Sequence, residues 1–228
     1  MSRVLLKFRM LDPFIAPLAE RHEVVLEPDA KVDVLLTTGL AGVTAAQMDE
    51  LPGLRLIVCF GAGYEGVDMD AARARGLRVV NGAGTNHESV ADMAFGLILA
   101  LGRRIAEGDR YIRAGLWGRE PRPGIVAPVH GARLGILGLG QIGMAVARRA
   151  AGFDMKVSYH NPRPRDVPYA YAPTPLALAE GADILVVSLR ADAGTKHAIN
   201  ENFLRALGPK GLLINVSRGL VIDEDALA

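Results

Sequence analysis

The stretch of this sequence best suited to chemistry is GLGQIG, residues 138–143, which has the spacing G-x-G-x-x-G. An apolar run precedes it and an amphipathic run follows it, as in a strand–turn–helix unit that binds a dinucleotide. In such a unit Gly138 permits a tight turn, Gly140 lets the backbone approach a pyrophosphate, and Gly143 lets the helix pack on the strand. The first amides of the helix then face the anion. A glycine-rich turn without a ligand is the alternative interpretation. The predicted contacts are Gly138, Leu139, Gly140, Gln141, Ile142 and Gly143.

The loop after the next predicted strand indicates which dinucleotide is bound. About twenty residues after the glycine motif, a carboxylate usually binds the ribose of NAD, but here the strand ends in His160 and Asn161. Asn161 can still donate to a ribose hydroxyl, while Arg163 or Arg165 can pair with a dianionic 2′-phosphate. We therefore expect NADP(H) to be preferred and NAD(H) to be possible, with all four residues as contacts. Two solvated loop arginines with no phosphate partner are the alternative.

Strand-like apolar runs alternate with helical patterns along the chain, which indicates an α/β fold with parallel sheets. In the first half the strand candidates are RVLLKF, EVVLE, VDVLLT, LRLIVCF and LRVV. In the second half they are residues 133–137, 156–159, 184–189 and 211–216, with a short strand at 169–171. Helical spacing predicts short helices near 13–21, 44–51 and 68–75. A long helix is predicted from about 88 to 112, with an apolar stripe that includes Ile98 and Ile105.

The second half has fewer strands than a dinucleotide-binding domain usually contains, which is six. The chain also stops at DEDALA, where Asp223 is placed to cap a new helix. From the sequence we therefore expect further residues to follow Ala228 in the natural protein. The segment 115–132 is rich in Gly and Pro and has no periodicity, which is typical of a connection or an arm.

Composition argues against several classes of partner. Lys and Arg number 26 against 25 Asp and Glu, the net charge is +1, and no basic tract suggests nucleic acid. The apolar runs are too short and too often broken by glycine to span a bilayer, and the amino terminus lacks a signal-peptide pattern. The single cysteine, Cys59, lies in an apolar run and is expected to be a packing residue. We expect a cytoplasmic globular protein with no metal site.

Four longer motifs occur in the order CFGAGYEGVDMDAARARGLRVVNGAG (59–84), ESVADMAFGLILALGRRI (88–105), LGILGLGQIG (134–143) and GLLINVSRGLVIDEDAL (211–227). Together they resemble the D-isomer-specific 2-hydroxyacid dehydrogenases, above all the NADPH-linked glyoxylate/hydroxypyruvate and hydroxyphenylpyruvate reductases. The resemblance implies two doubly wound parallel-sheet domains. These are a flavodoxin-like substrate-binding domain, residues 1–100, and a Rossmann NAD(P)-binding domain, residues 101–228, truncated at its carboxyl end.

The resemblance also implies a substrate site in the first domain. The loop FGAGY offers the backbone amides of Ala62 and Gly63 to the substrate carboxylate, as an anion-binding nest does. The loop TTGLAG forms another wall of the pocket near Leu40, and Asn86 lies near the nicotinamide.

In the second domain the resemblance implies more cofactor contacts after two strands, where such sheets bind ligands. This sequence departs from the family at two of these loops. Arg190 stands where the family often has proline, and Pro162 occupies the usual place of the 2′-phosphate arginine, which makes Arg163 a shifted candidate. The implied contacts are Leu189, Arg190, Thr195, Val216 and Ser217.

The motif NVSRG supplies the catalytic candidate, Arg218, which is also implied to bind substrate. A permanently charged guanidinium at the end of a buried strand can bind a 2-oxo acid through its carboxylate and polarise the keto oxygen. Hydride addition builds negative charge on that oxygen, so a cation there stabilises the transition state more than the ground state. In the family a histidine held by a glutamate provides the proton, and both lie downstream of this motif. His87 is a less favoured candidate.

The leading hypothesis is therefore an NADPH-dependent reductase of a small 2-oxo acid such as glyoxylate or hydroxypyruvate. A non-catalytic NAD(P)-binding regulator of the same fold is the alternative. A different NAD-domain enzyme is disfavoured, because NVSRG and GAGYEGVD would then have no role. Family analogy implies a homodimer formed through the arm at 102–130, with Trp117 either as an interface anchor or as an intramolecular plug.

Overall fold

A computed structural model of the protein describes residues 1–119, 121, 124, 126 and 128–228. They form two units, an amino-terminal unit, Met1–Asn86, and a carboxyl-terminal unit, His87–Ala228. The sequence placed the domain boundary later, after residue 100. The units divide earlier because the helix that starts at His87 buries its apolar face in the core of the carboxyl-terminal unit.

The amino-terminal unit contains one five-stranded parallel sheet in the order β2-β1-β3-β4-β5, which is the flavodoxin-like order. The strand order reverses between β1 and β3. Strands such as LIVC in β4 are apolar throughout because parallel sheets are covered on both faces. The strands are β1 (Arg3–Leu6), β2 (Glu23–Val25), β3 (Val34–Thr37), β4 (Leu56–Cys59) and β5 (Arg78–Asn81), and the helices are α1 (Asp12–Ala19), α2 (Ala45–Asp49) and α3 (Met69–Ala74).

The carboxyl-terminal unit contains a second parallel sheet in the order β10-β9-β6-β7-β8. This corresponds to strands 5-4-1-2-3 of the Rossmann pattern, with the reversal between β6 and β9. The strands are β6 (Arg133–Leu137), β7 (Lys156–His160), β8 (Ala170–Tyr171), β9 (Ile184–Val187) and β10 (Leu212–Asn215). The helices are α4 (His87–Gly102), α5 (Ile105–Arg113), α6 (Gln141–Ala150), α7 (Pro175–Glu180), α8 (Glu201–Leu207) and α9 (Glu224–Leu227). The two doubly wound sheets agree with the predicted fold class.

Short polar residues begin many of these helices, because their side chains accept a hydrogen bond from the backbone amide three residues on. Those that do so are Thr44, Asp68, Thr174, Asn200 and Asp223. Within the described ranges, none of the helices is both long enough and apolar enough to cross a membrane.

The prediction of one long helix over 88–112 was wrong, because this segment forms two helices, α4 and α5, with a break between them. Arg104 has a φ of 52°, a left-handed conformation that ends the regular helical phase. The predicted stripe is buried along α4, where Ile98 is fully buried, but Ile105 beyond the break is 55% exposed. The predicted arm at 115–132 lies partly outside the described residues.

Cys59 at the end of β4 is 1% exposed, which confirms its interpretation as a packing residue. Burial raises the pKa of its thiol, and the nearby Glu65 carboxylate adds to this effect. The thiolate is therefore disfavoured at neutral pH.

Candidate functional site

A cleft of about 570 Å³ opens in the carboxyl-terminal unit at the carboxyl ends of β6, β7 and β9. Open α/β sheets bind their ligands where the strand order reverses, and this cleft lies at that point. The structure therefore brings together residues from three of the predicted segments. The cleft is lined by Gly138, Leu139, Gly140, Asn161, Pro162, Arg163, Arg165, Ser188, Leu189, Arg190, Asp192 and Thr195.

The three motif glycines differ in the space around them. Gly138 has a φ of 97°, and a Cβ atom there would lie 2.9 Å from the carbonyl oxygen of Ser188. A Cβ atom on Gly143 would lie 2.4 Å from the carbonyl oxygen of Gly138, so both positions require glycine for packing. At Gly140 no described atom lies within 4 Å of the Cβ position. Gly140 therefore leaves open space beside the backbone, as a bound pyrophosphate requires.

The amino end of α6 supplies hydrogen-bond donors next to this space. Gly140 is the N-cap residue of α6, and in the described part of the chain no side chain caps the helix. The amides of Gln141 and Ile142, in the first turn, have no acceptor within the helix and carry the positive end of its dipole. Gln141, Ile142 and Gly143, which were also predicted as contacts, do not line the cleft.

Leu139 lines the cleft but offers no unengaged backbone group. Its side chain is fully buried, its N–H donates to Oδ1 of Asn161 at 2.7 Å, and its carbonyl accepts from Nη1 of Arg165. Because Oδ1 of Asn161 is the acceptor, that side chain presents its Nδ2 amide to a ligand, as expected for a donor to the ribose. Leu139 was predicted as a contact, and its role here is to shape the cleft.

The predicted residues after β7 separate into two groups. Asn161, Arg163 and Arg165 line the cleft, and Arg163 and Arg165 are exposed. His160 does not line it, because its Nδ1 lies 2.9 Å from the carbonyl oxygen of Ala172 and its ring stacks on Tyr171. The structure thus places His160 in the packing between β7 and β8.

The loop after β9 forms the opposite wall. Thr195 holds its shape, since Oγ1 donates to the carbonyl oxygen of Arg190 at 2.7 Å and accepts from the amide of Asp192 at 2.9 Å. Ser188 and Asp192 were missed by the sequence analysis. Ser188 Oγ donates to the carbonyl oxygen of Gly138 at 2.7 Å. Its place directly after a buried strand was the signal that could have identified it.

The NVSRG turn lies beside this loop at the carboxyl end of β10. The amide of Val216 donates to the carbonyl oxygen of Val187 at 3.1 Å, and Ser217 Oγ donates to the carbonyl oxygen of Leu189. The next residue, Arg218, is exposed, and its Nη1 donates to the carbonyl oxygen of Ser217 at 3.0 Å. The turn therefore adjoins the cleft wall, although Val216, Ser217 and Arg218 do not line the cleft.

In the amino-terminal unit, the two loops predicted to bind substrate pack against each other backbone to backbone. A Cβ atom on Gly39 would lie 2.6 Å from the carbonyl carbon of Gly63, and the amide of Gly66 donates to the carbonyl oxygen of Gly39 at 2.8 Å. Leu40 is 87% exposed at this edge. The carbonyl oxygen of Ala62 accepts from Nδ2 of Asn81 at 2.7 Å. The structure thus brings Leu40, Ala62 and Gly63 together at the carboxyl ends of β3 and β4.

Two further candidates lie where the units meet along the chain. Asn86 is an exposed residue after β5. His87 begins α4, and its Nε2 lies 3.3 Å from Oε1 of Glu88. Hydrogen bonding to Arg149, with the charges of Arg148 and Arg149, lowers the pKa of Glu88. His87 therefore borders an ion-pair cluster between α4 and α6. Over the described residues, no group of three or more His, Cys, Asp or Glu side chains is placed to hold a metal ion.

Comparison with known proteins agrees with this geometry. The family model described as "D-isomer specific 2-hydroxyacid dehydrogenase, NAD binding domain" matches residues 95–228. Glyoxylate/hydroxypyruvate reductase A HPR2 of Arabidopsis thaliana is 40% identical over 188 residues, 82% of this chain and 60% of the relative. Hydroxyphenylpyruvate reductase of Plectranthus scutellarioides is 37% identical over 222 residues, 97% of this chain and 70% of the relative. The chain thus spans 60% and 70% of the length of these two curated relatives.

Solved structures are similar over the whole chain. The NADPH-dependent glyoxylate/hydroxypyruvate reductase of Sinorhizobium meliloti, in complex with NADP and malonate, superposes with a TM-score of 0.90 at 36% identity. The match covers 99% of this chain and 74% of that one. A 2-hydroxyacid dehydrogenase from Ketogulonicigenium vulgare gives a TM-score of 0.90 at 34% identity, covering 100% of this chain and 76% of that one.

Proposed function

This chain belongs to the D-isomer-specific 2-hydroxyacid dehydrogenases, and from that premise we propose that its cleft binds NADP(H) for the reduction of a small 2-oxo acid to a D-2-hydroxy acid. Glyoxylate and hydroxypyruvate are the proposed substrates, because the names of the relatives include them. The observation that carries the proposal is the open space at Gly140, beside uncapped helix amides and inside the cleft.

The charges of the cleft support a phosphorylated dinucleotide. Arg163 and Arg165 lie on the β7 loop, where the ribose carboxylate of NAD-binding proteins is absent. The carboxylate among the described lining residues, Asp192, lies on the β9 loop, where its Oδ1 accepts from the amides of Gly194 and Thr195. No carboxylate on the described part of the β7 loop lines the cleft to repel a 2′-phosphate, and an arginine of that loop can pair with the phosphate. NADH is expected to bind less tightly.

Reduction needs a hydride donor, a site that stabilises the developing alkoxide, and a proton from water or a general acid to complete the hydroxyl group. A reduced nicotinamide held in the cleft would supply the hydride. Arg218 holds the substrate by its carboxylate and polarises the keto oxygen with its positive charge. Within the amino-terminal unit, the amides of Ala62 and Gly63 are proposed as donors to an anion.

The test is a calorimetric titration of the protein with NADPH and with NADH, followed by a steady-state assay of NADPH oxidation with glyoxylate and hydroxypyruvate. We expect NADPH to bind more tightly than NADH and to be oxidised when either acid is present. Coenzyme binding without turnover would favour a non-catalytic regulator of the same fold. Failure of both coenzymes to bind would refute the proposal.

We further propose a homodimer that uses the exposed face of α4. Met93, Leu97 and Leu101 follow each other at four-residue spacing on this helix and are 60%, 40% and 50% exposed. Ile105 and Trp117 are also exposed apolar side chains, 55% and 79% exposed, and the exposure of Trp117 favours an interface anchor over an intramolecular plug. An exposed apolar stripe of this kind is typical of an interaction surface. Light scattering after size exclusion should give twice the chain mass, and Leu97→Glu should give the monomer.

A further inference from the structure

We propose that Arg165 is a positioning residue that, with Asn161, locks the glycine loop in the form that accepts the coenzyme, and that Arg163 alone pairs with the 2′-phosphate. This inference rests on the proposed function, because it assigns separate roles to two arginines of the same site. Both arginines line the cleft, so their location does not distinguish their roles. The hydrogen bonds that each arginine makes do distinguish them.

Arg165 and Asn161 hold the two sides of one residue. Oδ1 of Asn161 accepts from the N–H of Leu139 at 2.7 Å, and Nη1 of Arg165 donates to the carbonyl oxygen of the same residue. Leu139 is the middle residue of the G-L-G turn, and its side chain is fully buried. The β7 loop thus holds the glycine loop at two points, which we call the Leu139 clamp.

The clamp fixes the direction of neighbouring backbone groups. In a trans peptide the C=O and N–H bonds point in opposite directions. A Leu139 carbonyl held by Arg165 therefore directs the N–H of Gly140 away from Arg165. In the same way, a Leu139 N–H held by Asn161 directs the carbonyl of Gly138 to the other side, where Ser188 Oγ donates to it at 2.7 Å.

The turn needs such a clamp because of its own composition. Gly140 has no side chain to restrict its backbone, and no described atom lies within 4 Å of its Cβ position. A peptide that joins such a glycine can rotate at little cost, which would remove the donors from the phosphate. Holding the turn before the ligand arrives lowers the entropy lost on binding.

Arg165 is itself anchored, whereas Arg163 is not. The amide of Arg165 donates to Oη of Tyr159 at 2.7 Å, and its carbonyl accepts from the same hydroxyl at 3.1 Å. Tyr159 is 1% exposed within β7, so this anchor is rigid. In the described part of the chain, the Arg163 guanidinium has no hydrogen-bond or ion-pair partner, and its two proline neighbours restrict the loop around it. Arg163 is thus available for an anion.

The experiment compares Arg165→Ala with Arg163→Ala, a matched loss of one charge two residues away in the same loop. NADPH and NADH are titrated into each variant, and the readout is the ratio of the two dissociation constants. Arg163→Ala should weaken NADPH selectively, changing the ratio by about tenfold or more. Arg165→Ala should weaken both coenzymes by a similar factor, about fivefold or more, and leave the ratio within about twofold.

Two further variants separate a clamp from a general loss of structure. Arg165→Lys can still donate to the Leu139 carbonyl and should recover part of the affinity for both coenzymes. Asn161→Ala and Arg165→Ala each remove one of the two hydrogen bonds to Leu139. The loss of coenzyme affinity in the double variant should therefore be smaller than the product of the losses in the two single variants. Melting temperatures within a few degrees of wild type would show that the variants fold.

A selective loss of NADPH binding in Arg165→Ala, equal to that in Arg163→Ala, would overturn the inference and leave the proposed function intact. So would Arg165→Ala binding both coenzymes as wild type does. If wild type itself binds neither coenzyme, the proposed function fails and the inference falls with it.

Discussion

The two units are alike at the amino edges of their sheets and different at the carboxyl edges. At each amino edge, an arginine begins one of the two strands at the order reversal, and its amide donates to an aspartate just before the other strand. These bonds are Arg3 to Asp33 at 3.1 Å and Arg133 to Asp183 at 2.9 Å. Each aspartate donates its own amide back to the arginine carbonyl, at 3.1 and 2.9 Å.

The carboxyl edges differ in the surroundings of two of their glycines, Gly42 and Gly140. In the amino-terminal unit, glycines close the contact between two loops, and a Cβ atom on Gly42 would lie 1.8 Å from the carbonyl oxygen of Gly66. In the carboxyl-terminal unit, Gly140 leaves a space that no described residue fills. The comparison shows that the same arginine–aspartate hydrogen bonds join two strands at the amino edge of both sheets. At the carboxyl edge of the second unit, Gly138 and Gly143 are closed positions, whereas Gly140 is open and lines the cleft.

The largest effect that would test this comparison is expected from Gly42→Ala. Gly42 has a φ of 53°, so alanine adds backbone strain to a direct clash with Gly66. We expect the free energy of unfolding to fall by about 3 kcal/mol or more, measured by urea denaturation. Gly76→Ala is the matched control, because Gly76 has a φ of 66° and open space around it. It should cost about 1 kcal/mol, and equal costs at the two positions would contradict the loop contact.

The opposite pattern is expected from Gly140→Ala. Its Cβ meets open space and its φ of −83° suits any residue, so the free energy of unfolding should change by less than about 0.5 kcal/mol. Affinity for NADPH should fall about tenfold or more, equal to about 1.4 kcal/mol, because the methyl group occupies the phosphate space. Gly143→Ala, at a closed position, should instead lower stability. Unchanged NADPH affinity in Gly140→Ala would mean that this space is not used.

A smaller effect is expected from Lys7→Met. This variant tests the side-chain hydrogen bonds at the carboxyl edge of the sheet in the amino-terminal unit. Lys7 Nζ donates to the carbonyl oxygen of Gly42 at 2.8 Å and to Oε1 of Gln47 at 2.5 Å. Removing these bonds should cost about 1 kcal/mol in urea denaturation at pH 7.

The effect of Lys7 also has a pH signature. Burial lowers the pKa of Lys7, so the unfolded chain binds more protons than the folded one between the folded pKa and 10.5. Stability of wild type should therefore rise relative to Lys7→Met as pH increases through that window. A difference that stays constant with pH would contradict the burial of this charge.

The smallest effect is expected from Asp183→Asn at the shared amino edge. Hydrogen bonds from the Arg133 side chain and, to a lesser extent, from its backbone lower the pKa of Asp183 below 3.8. The charge therefore stabilises the fold above the unfolded pKa, and this stabilisation is lost as pH falls through the folded pKa. Because the side chain is 48% exposed, we expect a difference of about 0.2–1 kcal/mol at pH 7 that shrinks as pH falls through the folded pKa. Asp70→Asn, in the fully exposed pair with Arg73, should change nothing measurable.

Much of the fold could be predicted from the sequence, because buried parallel strands are short apolar runs with clear ends. The break in the long helix could be predicted only in part: Gly102, the last residue of α4, is a local signal for a helix end, but Arg104 is a good helix former and does not indicate a left-handed residue. Its left-handed conformation depends on tertiary surroundings. Nη1 of Arg104 lies 2.2 Å from the position that a Cβ atom on Gly124 would occupy. The guanidinium of Arg104 also pairs with the carboxylate of Glu107.

The candidate site was predictable where it follows a local motif and not where it depends on register. The glycine turn was identified from its spacing and from the apolar and amphipathic runs on either side. Ser188 was missed because its bond to Gly138 exists only when Leu137 and Val187 are paired across β6 and β9. His160 was placed near the ribose from its position at the strand end, but its orientation depends on Tyr171 and Ala172, which come from a later strand.

The lining of the cleft has a kinetic consequence. The charged lining residues are three arginines, Arg163, Arg165 and Arg190, and one aspartate, Asp192. The electrostatic field of the cleft is therefore positive. Such a field draws in a polyanion from beyond contact range and raises its association rate, until mobile ions shorten the reach to about 10 Å at 0.1 M salt. Capture of the dinucleotide should therefore slow as ionic strength increases, more steeply for the molecule that carries the extra phosphate.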